Sequence, residues 1–544
     1  MKPIIIFLAI FFTILSLVTP PNFRPWITYN SELFSMLSLI SIKLLFVQRE
    51  IKIPVITLPI LLLALVPFFQ LYFGQVFYFS IALMGFIYLF CFWLSMQIGY
   101  NLSTNEFSQS KTFKILSYTL LFSGILSSIM SILQWTNLES FVPGVLNIRN
   151  SQRPFANFAQ PNNMATFLII SLMSCLYLYE KKNIKVKWLF LSATIIIVGI
   201  ALSQSRTAWV AAIAILLYLA FYQYKGIIRL KWYYSTAWFI FFIACIVIFP
   251  LLSQLAAQAI DTDVVQSRDV VSRATGDMSR LAIWQQMLAA IQAQPWFGYG
   301  WYQTSVAFVS ISDTVQGPVW IRSAHNFILD FLLWNGLLIG LPFLAYFGYL
   351  GYQLQRWVST PESVSGMLMI GAFVIHSMFE FPQHYAYFLL IIGFIIGGVI
   401  TNISSIKTFS ISKKINIIVL CLGVILLILI NRDYSNLKPK LYESINYENQ
   451  SEKITNQQPI YLLTEFNHRI DWIRLNPYTK VSPEQILEGE QMVLSYPTKY
   501  NLIKYAKLLA FNGYENKAKH QLERLKIIQK TEMSYKELTQ DVPR

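Results

Sequence analysis

The sequence predicts an all-α polytopic membrane protein with about thirteen transmembrane helices, and three observations support this fold class. First, 55% of the 544 residues are hydrophobic and only 13% are charged, whereas soluble proteins carry about 25% charged residues. Second, apolar runs of about 17–25 residues, the length that spans the hydrocarbon core as a helix, recur along the chain. Third, lysines and arginines are concentrated in alternate connections between those runs, as the positive-inside rule describes.

The thirteen apolar segments each have about the length of a membrane-spanning helix. They lie near residues 3–19, 31–47, 53–69, 76–99, 115–135, 163–179, 188–203, 207–222, 233–252, 326–350, 364–380, 385–402 and 415–430. The second segment contains Lys43, so its assignment has the least support. The first follows Lys2 and resembles a signal peptide, but Thr19, Pro20 and Pro21 offer no small-residue cleavage site, and we expect a retained helix.

The basic residues orient these helices with the N-terminus inside the cell. The inside connections then contain Arg49, Lys52, Lys111, Lys114, Lys181, Lys182, Lys185, Lys187, Lys225, Arg229, Lys231, Arg356, Lys407, Lys413 and Lys414. The short outside connections contain Arg24, Arg149, Arg153 and Arg206. Much of the net charge of +15 is thus expected in cytoplasmic loops, and no segment resembles a nucleic-acid-binding module. Residues 136–162, 253–325 and everything after about 431 lie outside.

Two domains are expected: a transmembrane domain of residues 1–430, which includes the outside loop 253–325, and a polar helical domain of residues 431–544. Within the second, residues 497–526 predict two amphipathic helices joined by a turn at Asn512 and Gly513. Their apolar faces contain Leu502, Tyr505, Ala506 and Leu509, and then Ala518, Leu522 and Leu525. This pair resembles a tetratricopeptide hairpin, and a generic helical hairpin is the alternative.

Polar side chains at the outer ends of apolar helices are costly unless they are used. Gln160 and Asn162, in the run 151–163 that also contains Arg153, flank a proline that can begin a helix. The N-terminus of that helix favours anions, although ordinary helix capping would explain the same residues. Arg206 lies in a tight polar turn with no acidic neighbour in sequence. It predicts either a diphosphate partner or a side chain that snorkels to the membrane surface.

The outside loop contains further candidates. Arg280 begins a predicted surface helix, residues 279–293, where a cation is unfavourable for the helix dipole; a role in binding or a solvated charge would explain it. Arg268, Arg273 and Arg322 are predicted to be solvated charges. The aromatic residues and glycines of 295–301 could stack on sugar rings or belong to an interfacial aromatic belt.

Histidines provide the candidate general bases. His325 lies between the outside loop and an apolar helix, where a neutral imidazole could accept a proton from a hydroxyl near pH 7, or be merely structural. His376 is predicted to be packed inside a helix. His384 and Tyr385 lie with Glu380 in an outer turn that could line the same cavity. The four cysteines lie in apolar runs, and no cluster has zinc-ligand spacing.

These motifs, in this order and on one predicted side of the membrane, resemble the bacterial O-antigen ligase and polymerase superfamily. The run from Arg153 to Asn163 looks like the signature of its protein O-oligosaccharyltransferase branch, the PglL-type enzymes. The segments 205–208, 280–284 and 324–326 look like the superfamily core. One departure is that Phe155, Ala156 and Asn157 stand where the branch has a glycine.

The resemblance implies a GT-C-like glycosyltransferase of the bacterial inner membrane with its active site on the periplasmic side. The donor would be an oligosaccharide on undecaprenyl diphosphate or another polyprenyl diphosphate, and the acceptor a Ser or Thr hydroxyl of a periplasmic protein such as a pilin. His325 matches the essential histidine, and Arg206 and Arg280 match diphosphate-binding arginines. Arg153, Gln160, Asn162, His384 and Tyr385 are expected pocket residues. The resemblance implies an inverting, metal-independent reaction without cofactors.

Two other functions stay open at the sequence level. The same chemistry could serve a different acceptor, either a lipid A core sugar, as in a ligase, or a growing glycan, as in a polymerase. A transporter or flippase is the alternative from another class. The signature of residues 151–163 and the polar tail favour protein glycosylation, and the clustering of candidate residues on one side disfavours transport.

Overall fold

The structure is a computed structural model, and it describes residues 2–22, 25–148, 153–158, 160–260, 279–315, 320–448, 450, 453–455 and 458–540. The helices of its first half are α1 (Lys2–Val18), α2 (Tyr29–Lys43), α3 (Leu58–Tyr72), α4 (Phe79–Asn101), α5 (Gln109–Trp135), α6 (Pro161–Glu180), α7 (Val186–Leu202), α8 (Arg206–Tyr224) and α9 (Trp232–Ile260). They are followed by α10 (Ser279–Ala293), α11 (Thr304–Ile311), α12 (Phe327–Arg356), α13 (Pro361–Ser377), α14 (Ala386–Ile400) and α15 (Lys413–Asn446). The tail contains α16 (Thr464–Arg474), α17 (Pro483–Ser495), α18 (Lys499–Phe511), α19 (Glu515–Gln529) and α20 (Tyr535–Gln540).

All thirteen predicted apolar segments fall on helices of the described chain, which confirms an all-α polytopic membrane protein. Among the residues that the structure describes, eight helices are long and apolar enough to cross a membrane: Val55–Tyr72, Phe79–Glu106, Gln109–Trp135, Pro161–Glu180, Arg206–Tyr224, Trp232–Ser253, Phe327–Arg356 and Lys413–Asn446. Three shorter apolar helices are α1, α7 and α14. The predicted segments 31–47 and 364–380 form α2 and α13, which belong to neither group, so the count of thirteen stays a prediction.

Local capping explains where several helices begin. Pro161 and Pro361 occupy the first turns of α6 and α13, where a missing backbone N–H costs nothing. Thr360 and Ser363 form a reciprocal capping box at the start of α13. The α5 helix begins after Ser108, whose hydroxyl accepts a hydrogen bond from a backbone N–H of the first turn.

The first of two compact units contains residues 1–61, 88–277 and 347–424. In it, small residues let α5, α6 and α7 approach closely. A Cβ at Gly124 would lie 2.0 Å from the Ser171 hydroxyl, and one at Gly199 would lie 2.8 Å from the Ser128 hydroxyl. Close packing through glycine and serine is the usual means of helix association in lipid, where burial of apolar surface provides no drive. A two-stranded antiparallel sheet pairs β1 (Ile51–Pro54) with β2 (Thr408–Ile411), Ile51 opposite Ile411.

The second unit contains residues 62–87, 278–346 and 425–544. The predicted hairpin is confirmed as α18 and α19, and its seven predicted core residues are all buried. Gly513, in the joining turn, has a φ of +85°. The tail packs on residues outside the predicted domain 431–544, since Tyr78 belongs to the same apolar cluster as Leu502 and Tyr505. The predicted domain boundary at residue 430 falls inside α15, which runs from Lys413 to Asn446.

The α12 helix is interrupted at Gly336, where φ is +63° and ψ is −175°. The loop at Pro295–Gly300 supplies the missing hydrogen bonds. The N–H groups of Leu337 and Leu338 donate to the carbonyls of Pro295 and Trp296 at 2.7 and 3.2 Å. The N–H groups of Tyr299 and Gly300 donate to the freed carbonyls of Leu333 and Trp334 at 2.8 and 3.0 Å. A nine-residue helical segment, 327–335, therefore precedes the break, with His325 just before it.

Candidate active site

Arg153 holds two polar segments of the first unit together. Its Nε donates to the carbonyl of Ser203 at 2.8 Å, and its Nη2 donates to Oδ1 of Asn162 at 3.1 Å. The Asn162 amide in turn donates to Oε1 of Glu380 at 3.0 Å, and both side chains are buried. Arg153 and Asn162, predicted as pocket residues, thus connect the turn before Arg206, the start of α6 and the outer turn near residue 380.

The loop that carries Arg153 is positioned by Gln134, a residue that sequence reasoning missed. Ala156 has a φ of +51°, a left-handed conformation that favours glycine. Its N–H donates to the Gln134 side chain at 2.7 Å, and its carbonyl accepts from that side chain at 2.7 Å. The departure from the family pattern noted above therefore includes a strained residue, Ala156, held by a buried amide.

Gln160 immediately precedes α6, with Pro161 at the first helical position. Its backbone is extended and its side chain makes no capping hydrogen bond, which disfavours ordinary helix capping as its role. The side chain is half-buried. The N-terminus of α6 accordingly keeps the partial positive charge that attracts anions.

Arg206 is the first residue of α8, as the sequence predicts for a tight polar turn. Residues 203–205 form that turn, in which Gln204 has a φ of +49° and the N–H of Ser205 donates to the Ser203 hydroxyl at 3.2 Å. Arg280, in the second unit, is likewise in the first turn of its helix, α10. Both arginines therefore lie in the first turns of their helices, where backbone N–H groups and a cation can act together on an anion.

The outer turn before α14 contains His384 and Tyr385, as expected. Residues Pro382–His384 form a short 3₁₀ helix. Tyr385 stacks on Tyr387 with ring centroids 5.2 Å apart, and the Tyr387 hydroxyl accepts from the Asn163 amide at 3.1 Å. Asn163, Tyr385 and Tyr387 thus join the start of α6 to this turn. His376 is fully buried within α13, which confirms its interpretation as a packed residue.

His325 has a left-handed backbone, with a φ of +51°, and its ring is half-buried. Such conformations cost about 1–3 kcal/mol and persist where the surroundings enforce them. The N–H of His325 donates to the Ser323 hydroxyl at 3.0 Å. Asn326 then accepts from the N–H of Leu329 at 3.1 Å and caps α12. The histidine thus lies in a short turn that is tied at both ends.

Trp284 attaches the helix of Arg280 to the turn of His325. Its indole Nε1 donates to the carbonyl of Ala324 at 3.0 Å. Arg280 and Trp284 are four residues apart and so share a face of α10. Sequence reasoning missed this role of Trp284, although the i, i+4 spacing within 280–284 was a usable signal.

The aromatic residues of 295–301 divide into two groups. Tyr299 and Trp301 are only 6% exposed each, and Tyr299 donates its hydroxyl to a backbone carbonyl of α10, so neither is placed to stack on a sugar ring. Trp296 and Phe297 are 59% and 61% exposed. The expectation of stacking or of an interfacial belt therefore applies to these two residues only.

Part of Arg322 is exposed, but burial lowers the pKa of its guanidinium, so it is only partly the solvated charge that the sequence predicts. Its guanidinium lies 4.4 Å from the ring centroid of Tyr496 and 5.2 Å from that of Trp320, while Arg469 lies 4.6 Å from Tyr496. Burial raises the pKa of the nearby Glu465, and Arg469 and Arg322 oppose that shift. The tail thus contacts the segment that leads to His325. Arg268 and Arg273 lie outside the described residues.

Three family models match the chain. An O-antigen ligase model matches residues 190–344, which include Arg206, Arg280 and His325. A protein glycosylation ligase model matches residues 154–179. A model described as the C-terminal part of a virulence factor membrane-bound polymerase matches residues 364–532.

Two curated relatives from Acinetobacter baylyi are similar over nearly their whole lengths. A general O-oligosaccharyltransferase is 38% identical over 533 residues, which cover 97% of this chain and 92% of the relative. A ComP-specific O-oligosaccharyltransferase is 27% identical over 526 residues, which cover 95% of this chain and 93% of the relative.

Proposed function

Because this chain belongs to the protein O-oligosaccharyltransferase family, within the O-antigen ligase superfamily, we propose that it moves an oligosaccharide from polyprenyl diphosphate to a Ser or Thr hydroxyl. It is a membrane-bound glycosyltransferase that transfers a glycan to protein. The proposal adds the donor, for which undecaprenyl diphosphate is the expected carrier, and the acceptor, a periplasmic protein such as a pilin. The structural observation that carries it is the hydrogen bond from Trp284 to Ala324, which joins the helix of Arg280 to the turn of His325.

In the proposed reaction, His325 accepts the proton of the acceptor hydroxyl while its oxygen attacks the anomeric carbon of the donor. The bond from that carbon to the diphosphate oxygen breaks, and the electron pair leaves with the diphosphate. Arg206 and Arg280 bind the diphosphate and stabilise its growing charge. A single displacement inverts the anomeric centre. Diphosphate is a good leaving group without protonation, so the step needs neither a second acid nor a metal.

Typical magnitudes of catalytic effects indicate how much of the rate acceleration each group can supply. General-base assistance contributes about 10²–10⁴-fold, so positioning and charge stabilisation must supply most of the acceleration. Bidentate guanidinium contacts suit this task because they match the geometry of phosphate oxygens. Gln160, His384 and Tyr385 are proposed to line the pocket, whereas Arg153 and Asn162 support it through the hydrogen bonds described above.

A cavity in the first unit supports a polyprenyl carrier. It has a volume of about 760 Å³ and is lined mainly by apolar side chains of α6, α7, α8 and α9. Ala208, Ala212 and Leu219 contribute the α8 side of its wall, and α8 begins at Arg206. A long isoprenoid chain beside a helix whose first residue binds the diphosphate would match this arrangement of apolar and cationic groups.

The distribution of basic residues supports an inner-membrane location with the site on the periplasmic side. The connections that contain most lysines and arginines are assigned to the cytoplasm, which leaves His325, Arg206 and Arg280 outside. The polar tail is on the same side in this arrangement and could contact an acceptor protein. This orientation is tested by replacing Lys182 or Lys499 with cysteine and measuring the accessibility of each cysteine in spheroplasts. Only the cysteine at position 499 should react.

The function is tested by co-expression with a lipid-linked glycan and a pilin. Intact-mass analysis of the pilin should show added glycan with the wild type and none with His325→Ala at equal expression. His520→Ala is the matched control, since His520 is an exposed histidine of α19. Glycan on lipopolysaccharide alone would replace protein glycosylation by ligase activity, and full activity of His325→Ala would remove the proposed base.

The arginine assignment has a separate test. Arg280→Lys keeps the positive charge but loses the planar fork, so we expect weaker donor binding and slower turnover. Arg356→Lys, at the last residue of α12, is the control for an arginine change elsewhere in the protein. Unchanged turnover and donor KM in Arg280→Lys would remove Arg280 from the diphosphate site.

A further inference from the structure

Asp330, in the first turn of α12, is fully buried and accepts three hydrogen bonds. Its Oδ1 accepts from the N–H of Ala324 and from the Thr304 hydroxyl, both at 2.9 Å. Its Oδ2 accepts from the Ser323 hydroxyl at 2.5 Å. A buried carboxylate is tolerated only when donors surround it, and bonds to a carboxylate are the stronger ones.

Two of these bonds act directly on the residues before His325. Asp330 orients the Ser323 hydroxyl, and that oxygen accepts the N–H of His325 at 3.0 Å. The N–H of Ala324 is bound by the same carboxylate. The side chain of Ser323 and the backbone N–H groups of the two following residues are therefore all held, directly or through one hydroxyl, by Asp330.

The third bond connects this cluster to the body of α12. The Thr304 hydroxyl donates to Asp330 and accepts from the indole N–H of Trp334 at 2.8 Å. Trp334 lies one turn after Asp330 on the same helix. The carboxylate of Asp330 is thus also held by Thr304, which is itself fully buried. A residue that supports a strained backbone needs this kind of fixed position.

We propose that Asp330 is a positioning residue that holds His325 in its left-handed conformation through Ser323 and Ala324, so that the imidazole is presented to the acceptor hydroxyl. This inference rests on the proposed role of His325. Asp330 touches neither donor nor acceptor. Its effect on the reaction is confined to the placement of the base, so it acts on turnover and leaves the binding of both substrates unchanged.

The test uses the purified full-length protein with the lipid-linked glycan and pilin of the co-expression assay. Asp330→Asn keeps the shape of the side chain but leaves one acceptor oxygen, so it cannot accept both from the Ser323 hydroxyl and from the Ala324 N–H and Thr304 hydroxyl. We expect kcat to fall by about 10- to 100-fold, a part of the 10²–10⁴-fold worth of a general base. KM for each substrate should change by less than about twofold, because no binding contact is lost. Ser323→Ala should give the same pattern, and it removes only one oxygen from the core.

The matched control is Asp433→Asn. Asp433 is also buried, and it accepts backbone N–H groups of Tyr461, Leu462 and Leu463 at 2.9, 2.5 and 3.2 Å. It holds a loop of the tail and none of the residues around His325. A loss of kcat in this control equal to that of Asp330→Asn would mean that general destabilisation explains both, and the inference would be overturned.

A second measurement does not depend on turnover. Hydrogen exchange of the peptide that contains Ala324 and His325 should be faster in Asp330→Asn, with exchange of the tail unchanged. Unchanged protection of that peptide, or wild-type kcat in both Asp330→Asn and Ser323→Ala, would refute the inference while the proposed function stands. Failure of the wild type to glycosylate the pilin would refute the function instead, and the exchange result would still decide whether Asp330 holds the turn.

Discussion

Replacing Gly336 by alanine should disrupt α12 at the break between its two helical segments. The residue has a φ of +63° and a ψ of −175°, a combination open to glycine alone. An added Cβ would lie 2.2 Å from the Trp296 carbonyl oxygen and 2.5 Å from the Phe297 nitrogen. Both neighbours are backbone atoms of the loop that completes the helix, so neither can move without breaking hydrogen bonds.

The size of the effect follows from these contacts. The backbone strain costs about 1–3 kcal/mol, and the bonds from Leu337 and Leu338 to the loop contribute about 0.5–1.5 kcal/mol each. We therefore expect Gly336→Ala to destabilise the protein by about 2–6 kcal/mol. Turnover should fall as well, because the same loop binds the carbonyls of Leu333 and Trp334, on the helical segment that carries Asp330.

The assay is the thermal stability of the detergent-solubilised protein, followed by fluorescence-detected size exclusion, together with glycan transfer in cells. Gly348→Ala is the control, because Gly348 lies in the same helix and an added Cβ would meet no atom within 4 Å. It should leave stability unchanged or raise it by up to about 1 kcal/mol, the helix-propensity difference. A melting temperature of Gly336→Ala equal to that of the wild type would refute the reasoning.

Three further predictions concern the site. Trp284→Phe keeps a smaller aromatic side chain but loses the indole N–H and its hydrogen bond to the His325 turn, worth about 0.5–1.5 kcal/mol, so kcat should fall while the melting temperature changes little. Unchanged kcat would count against this link. Arg153→Lys cannot reach both of its acceptors, so melting temperature and turnover should fall together, and a change in donor KM alone would instead indicate direct donor binding. Ala156→Gly removes left-handed strain, so thermal stability should be equal or higher, and a clear loss would contradict the strain.

Elements specified by local chemistry were predicted well. The surface helix was expected at residues 279–293 and is Ser279–Ala293, and the tail hairpin has its predicted turn at Gly513. Pro161 begins α6 as expected. In each case the deciding feature, an apolar period or a residue with a restricted backbone, lies within a few positions of the element itself.

Features that depend on distant partners could not be predicted. The break at Gly336 falls inside a mainly apolar run, and it is stable because a loop some forty positions earlier binds its exposed backbone groups. Arg153 is predicted as a pocket residue, and only the folded chain shows that it also hydrogen-bonds to Ser203 and Asn162. A guanidinium in sequence looks the same whether it binds a ligand or a neighbouring turn.

The sequence by itself determined the class of the protein and supplied the candidate residues of its site. Long apolar runs must be helices in lipid, since every backbone polar group needs a partner there, and the motifs made His325, Arg206 and Arg280 candidates for the site. Only the tertiary structure decided what supports the turn of His325. Trp284 donates a hydrogen bond to this turn, and Asp330 accepts three hydrogen bonds beside it. The physical reason is that hydrogen bonds act over about 3 Å, whereas the groups they join here come from chain segments that only folding brings together.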